Sequence, residues 1–147
     1  MINGIYERPD GLDAECVKLV DFLNNIDHIQ TYESCCGHLK NKYMIFLFCN
    51  DFATLAKLSR AVNFNYSDGK WILEVDGTDT HPTYCFFLHS REPFKNADEM
   101  NESVNALIDN IKYWLNPKFD EYFNIDQIKK SMRLKTQVNI TSFGTIF

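Results

Sequence analysis

"YMIFLFC", Tyr43 to Cys49, is the stretch on which the fold turns. It carries no charged residue, and its apolar side chains fall on both faces of an extended chain. Such a segment reads as a strand inside a sheet covered on both sides, or nearly so. Working outward from it, "DHIQTYES" leads into a shorter strand that ends near Ser34. Upstream of that, Cys16, Leu19, Val20, Leu23 and Ile26 keep the i, i+3, i+4, i+7 spacing of one helix face, predicting a helix over about Leu12 to Asn25 capped by Asp10 or Asp13. Downstream, Asp51 caps a second helix with Phe52, Leu55, Leu58 and Val62 on its core face.

The second half repeats the alternation. "NYSDGK" is turn chemistry. "KWILEVDG" sets Trp71, Leu73 and Val75 on one face of a strand and Ile72, Glu74 and Asp76 on the other. A turn through Gly77 and Pro82 leads into the strand "TYCFFLHS". Asn96 caps a long helix whose buried stripe is Met100, Val104, Leu107, Ile108, Ile111 and Leu115, with Asp98 and Glu99 in the first turn, where the helix dipole favours negative charge. Pro117 ends that helix or begins the next segment, "KFDEYFNIDQIKKSMRLK" reads as helical, and "TQVNITSFGTIF" as a strand or a tail. The expectation is one α/β domain over residues 1–147, with a mixed or antiparallel sheet of about four to five strands and helices packed on it.

Composition narrows the function. The chain has 147 residues, 45% of them hydrophobic and 14% aromatic, enough for a real core. Its net charge of -5 disfavours a nucleic-acid coat. No apolar run reaches the roughly 18–20 residues of a membrane span, and "MINGIYERPDG" has no apolar leader segment. The five cysteines are odd in number and lack the spacing of a secreted disulfide framework, so reduced thiols and a cytoplasmic location are expected.

"TYESCCGHLK", Thr31 to Lys40, is the first candidate site. As zinc ligands Cys35, Cys36 and His38 are crowded, and no second CxxC or HxxxH pair completes a tetrahedron, so no metal is expected. As a nucleophile, a cysteine here needs a base or a cation, and His38, His89 and Arg91 are the available ones. As a binding turn, Gly37 permits a positive φ, successive N–H groups form an anion nest, Ser34 and His38 add polar groups, and Lys40 and Lys42 add charge. The ordinary reading is a turn whose cysteines merely pack. The second candidate is "FFLHSRE": His89 and Arg91, two apart on a strand, would share a face and clamp a phosphate or carboxylate. Glu74 and Asp76 would pair with Arg91 or accept from ribose hydroxyls, and otherwise all four face water.

Thr31 to His38 resembles the Ser-Cys-Ser-Gly-Arg motif of the wybutosine-synthesis tRNA methyltransferase family (its N4-methylating member), and Phe87-Leu88-His89-Ser90-Arg91 resembles that family's Phe-x-Leu-His-x-x-Cys-Arg strand. The order of elements between them, including a Trp-containing strand at Trp71, is similar, and the resemblance spans about Gln30 to Ile111. In this chain Cys36 stands at the motif serine and His38 at its arginine. "SCCGH" also resembles a motif of small phage and prophage proteins. The resemblance implies Ser34, Cys35, Gly37, His89 and Arg91 as site positions. With Cys36, His38 and Trp71 they make the expected ligand-binding set. The resulting expectation is a phage-type protein that binds a nucleotide-like small molecule in a cleft between the 34–42 turn and the later strand ends. Such a protein would sequester a host immune nucleotide signal in the host cytoplasm, with no cofactor. The alternatives are an S-adenosylmethionine-dependent RNA methyltransferase and a non-enzymatic interaction domain. A homo-oligomer stays open.

Overall fold

The apolar spacing builds its elements in the expected order. In the computed structural model, residues 6–63, 69–76, 85–127, 129–130 and 132 are described. A 3-10 turn at Ala14–Cys16 leads into α1 (Val17–Asn24), β1 (Ile29–Cys35), β2 (Met44–Cys49) and α2 (Phe52–Asn63). Then come β3 (Trp71–Val75), β4 (Cys85–Ser90), α3 (Ala97–Trp114) and a 3-10 segment at Pro117–Phe123. The sheet order is β1-β2-β4-β3, and every pairing among these strands is antiparallel. The result is a single α/β domain. The expected turns through "NYSDGK" and Gly77–Pro82 lie largely outside the described residues, and "TQVNITSFGTIF" lies wholly outside them. Among the described residues no helix is long and apolar enough to cross a membrane.

β2 corrects the reading of its own sequence. It is central, but it alternates: Ile45, Leu47 and Cys49 are buried, while Met44, Phe46 and Phe48 are half-buried. The buried set joins Leu19 and Leu23 of α1, Leu58 of α2 and Leu107 and Ile111 of α3 in one core. Fully burying a Leu- or Ile-sized side chain contributes about 1.5–3 kcal/mol, so this face holds the domain together. The other face is apolar for a different reason. Its rings cover one another: Tyr32 lies 4.4 Å from Phe48, Phe46 stacks on Phe87 at 4.7 Å, and Phe87 stacks on His89 at 4.4 Å.

The helices follow their patterns in the main, though Ile26 and Leu115, expected on the buried faces, lie just past the ends of α1 and α3 and are half-buried. Asn96 caps α3 as expected, its side chain accepting the Glu99 N–H at 2.8 Å. Met100, Val104, Leu107, Ile108 and Ile111 are buried. Asp51 accepts from the Thr54 N–H at 2.9 Å and so caps α2. Phe52, however, is exposed rather than part of the core, and Lys57 is buried in its stead, ion-paired with Asp120. The first α-helix starts late, after the 3-10 turn, and the Asp13 side chain makes no capping bond, although its carbonyl accepts the Cys16 N–H. Its carboxylate is engaged elsewhere.

Candidate functional site

The strand register brings the two sequence motifs to one end of the sheet. β1 ends and β2 begins there, with Cys35 paired to Met44, and β4 ends there, with His89 paired to Met44 on its other side. Tyr43 ties the motifs together. Its N–H donates to the Ser90 hydroxyl at 2.9 Å, and the Ser90 N–H donates to the Tyr43 carbonyl at 2.8 Å. Ser34 is half-buried in β1 opposite Ile45.

After β1 the chain makes a left-handed turn. Gly37, His38 and Leu39 have φ of 78°, 52° and 62°. The Gly37 carbonyl closes the turn by accepting from Lys40 N–H at 3.0 Å and Asn41 N–H at 2.9 Å. A left-handed conformation costs an L-residue roughly 1–2 kcal/mol, so His38 and Leu39 are strained. Into this turn comes Asp13, from ahead of α1. Its Oδ2 accepts the Cys36 N–H at 3.1 Å and lies 3.6 Å from His38 Nε2. The Cys36 Sγ lies 3.6 Å from His38 Nδ1, and the Gly37 N–H points to the Cys35 Sγ at 3.4 Å. The N–H groups of Cys36 and Gly37, expected to cradle a ligand's anion, are thus engaged within the chain, the first by the Asp13 carboxylate and the second by the Cys35 sulfur. The Cys36 N–H bond holds the Asp13 carboxyl below its ordinary range. Burial pushes the Cys36 thiol up, and its 2% exposure removes it from the nucleophile's role.

The His89–Arg91 clamp takes another form. β4 stops at Ser90, so strand alternation does not carry through to Arg91, which is exposed and donates its backbone N–H to the Lys70 carbonyl at 2.8 Å. His89 is buried. Its Nε2 lies 3.2 Å from Glu74 Oε2, and its Nδ1 lies 2.8 Å from the Ser90 carbonyl. Asp76 accepts from the Tyr32 hydroxyl at 3.0 Å. Glu74 and Asp76 therefore meet His89 and Tyr32 rather than Arg91. Trp71 is 1% exposed, edge-on to Tyr43, with its indole N–H donated to the Ser103 hydroxyl at 2.8 Å. Its ring is part of the core and is withheld from any ligand.

A hollow lies at the opposite end of the sheet, where sequence reading had placed nothing. Its volume is about 680 Å³, within the range of small-ligand pockets. Phe22, Ile26, Ala53 and Leu115 give it apolar walls, and His28, Asp51, Lys57 and Asp120 bring polar groups. His28 is held at φ 73° just before β1, with its Nδ1 3.0 Å from Asn50 Oδ1. The bond from the Thr54 N–H holds the Asp51 carboxyl below its ordinary range. The hollow escaped the sequence because α1, α2, the β1 entry and the residues after α3 each contribute only a few groups. The one local signal for it was a histidine, His28, just ahead of the β1 run. Compared with protein families, curated proteins and solved structures, the chain matches none of them.

Proposed function

We propose that the protein binds a small nucleoside-like molecule in the hollow beside Lys57. The observation that carries this reading is the hollow itself: a space of ligand size with an apolar side and a polar side. Phe22, Ile26 and Leu115 offer surface for a flat base. Carboxylates accept from hydroxyl and amino groups, the donors that a ribose and a base edge present. Among the described residues, Asp27, Asp51 and Asp120 line the hollow against the ammonium of Lys57, so its charge balance opposes a polyphosphate tail and favours a neutral or singly charged ligand. Lys57 is paired with Asp120 and Asp51 with Thr54. Groups held this way orient a ligand, and the reading is of a binder that retains its molecule unchanged.

Isothermal titration of the full chain with adenosine, the monophosphate, the triphosphate and S-adenosylmethionine tests it. The expected order is adenosine or the monophosphate ahead of the triphosphate, with a loss of about tenfold or more when Ala53→Trp fills the hollow. An absence of binding by every compound, or Ala53→Trp binding as the parent does, rejects the reading. Loss of binding on Arg91→Lys instead would move the ligand to the other end of the sheet.

A further inference from the structure

The turn after β1 is assembled from three elements of the chain around one point. Asp13, Cys35 and His38 each offer a ligand atom, and these atoms lie within 4.8 Å of one another. We infer that Asp13, Cys35 and His38 form a site for a divalent transition metal, zinc by its chemistry, independent of the ligand hollow at the sheet's other end.

The spacing fits with little movement. Zinc bonds of about 2.0–2.3 Å to sulfur, nitrogen and oxygen put tetrahedral ligand atoms roughly 3.3–3.8 Å apart. Closing the set from 4.8 Å requires shifts that the exposed His38 ring and the half-buried Asp13 and Cys35 side chains can make. One thiolate, one imidazole and one carboxylate are a mixed donor set of the kind zinc accepts, and three protein ligands leave a fourth position for water. The sequence argued against a metal because the motif lacks a further pair. The missing ligand comes from Asp13, 23 residues before Cys36, whose N–H it already accepts.

The surroundings are those of a metal site's supporting shell. The Cys36 N–H orients the Asp13 carboxylate. The Cys36 sulfur sits beside Nδ1 of His38, which leaves Nε2, the nitrogen nearest Asp13, to face the cluster. The left-handed turn at Gly37, His38 and Leu39 folds His38 back over Cys35, and strain of this kind collects where a particular geometry is required. A Cys–His–Asp nucleophile is the rival use of the same atoms. It would run through Cys36, which lies beside His38 but is buried, whereas the metal set uses the more accessible Cys35.

The test is cobalt titration of the full chain, stripped with a chelator and kept reduced, followed by displacement with zinc. The expected result is one equivalent bound, with a thiolate-to-cobalt charge-transfer band that zinc abolishes. Cys35→Ser should lose the band. Asp13→Asn, which keeps an acceptor for the Cys36 N–H, and His38→Asn, which tolerates the left-handed backbone, should each weaken binding by about tenfold or more with unchanged circular dichroism. A parent with no such band overturns the proposal. So does a band that survives Cys35→Ser, and so do Asp13→Asn and His38→Asn that bind cobalt as the parent does.

Discussion

Gly37 has no room for a side chain. A Cβ there would lie 2.8 Å from the Lys42 carbonyl oxygen, which is backbone and cannot swing away, and φ is 78°. Strain and clash act together, so Gly37→Ala should lower unfolding free energy by about 1–3 kcal/mol in urea titration. A parent-like midpoint would refute the turn geometry. Sequence reading reached Gly37 because a glycine between a cysteine pair and a histidine is a local signal. It did not reach Asp13, whose partner is remote in the chain and whose position just before an apolar-periodic run reads as a helix cap. Trp71 shows the converse limit. An aromatic beside a motif looks like a ligand contact, yet its indole N–H answers Ser103 inside the core. Ser103→Ala would strand that N–H in a dry interior, costing about 1–3 kcal/mol. Cysteine at position 103 should recover little, since a thiol accepts weakly. Thermal unfolding of the two variants checks this.

The elements were legible wherever a period was unbroken. α3 could be read to its cap and stripe because 18 residues repeat one pattern and Asn96 carries the capping chemistry. β2 was legible as a central strand but not as a one-faced one. A row of rings shielding one another has the same apolar sequence as a face covered by helices, and only the pairing of Phe46 with Phe87 distinguishes them. α2 was legible at its cap and misread at Phe52, which is exposed while Lys57 is buried, because a lysine can turn inward when a carboxylate such as Asp120 meets it. The cap makes a pH-dependent prediction. The bond from Thr54 depresses the folded pKa of Asp51 below its ordinary 3.8. Its contribution is therefore complete above that value and disappears as pH falls through the lower folded value. Asp51→Ala should cost about 1 kcal/mol at neutral pH. The gap between variant and parent should narrow as pH falls below 3.8 and close only beneath the lower folded value. Melting curves that stay equally far apart in acid would show that the carboxylate is not what caps α2.

Across the whole molecule, four antiparallel strands gather polar side chains at both ends. One end gathers Cys35, His38 and Asp13 near Ser90, and the other gathers His28, Asp51 and Lys57. The first was half visible in the sequence, since two short motifs fall where β1 and β4 stop. The second was not, since no motif bounds it and its walls meet only after α1, α2 and the residues past α3 have packed. β2 spans the two ends with six residues, roughly 20 Å at about 3.4 Å per residue. Substitutions separated by more than about 7–10 Å, with no shared partner, add within about 0.5 kcal/mol. Gly37→Ala acts on the Lys42 carbonyl at one end, and Asp51→Ala acts on Thr54 at the other. The double variant should therefore lose the sum of the two single losses, measured by urea unfolding at neutral pH. A coupling well above about 0.5 kcal/mol would mean that the sheet transmits strain between its ends. Binding coupling is a separate quantity, and with no shared partner between the turn and the hollow, saturating the turn with zinc should leave nucleoside titrations unchanged, because two sites with no coupling free energy cannot shift each other's binding.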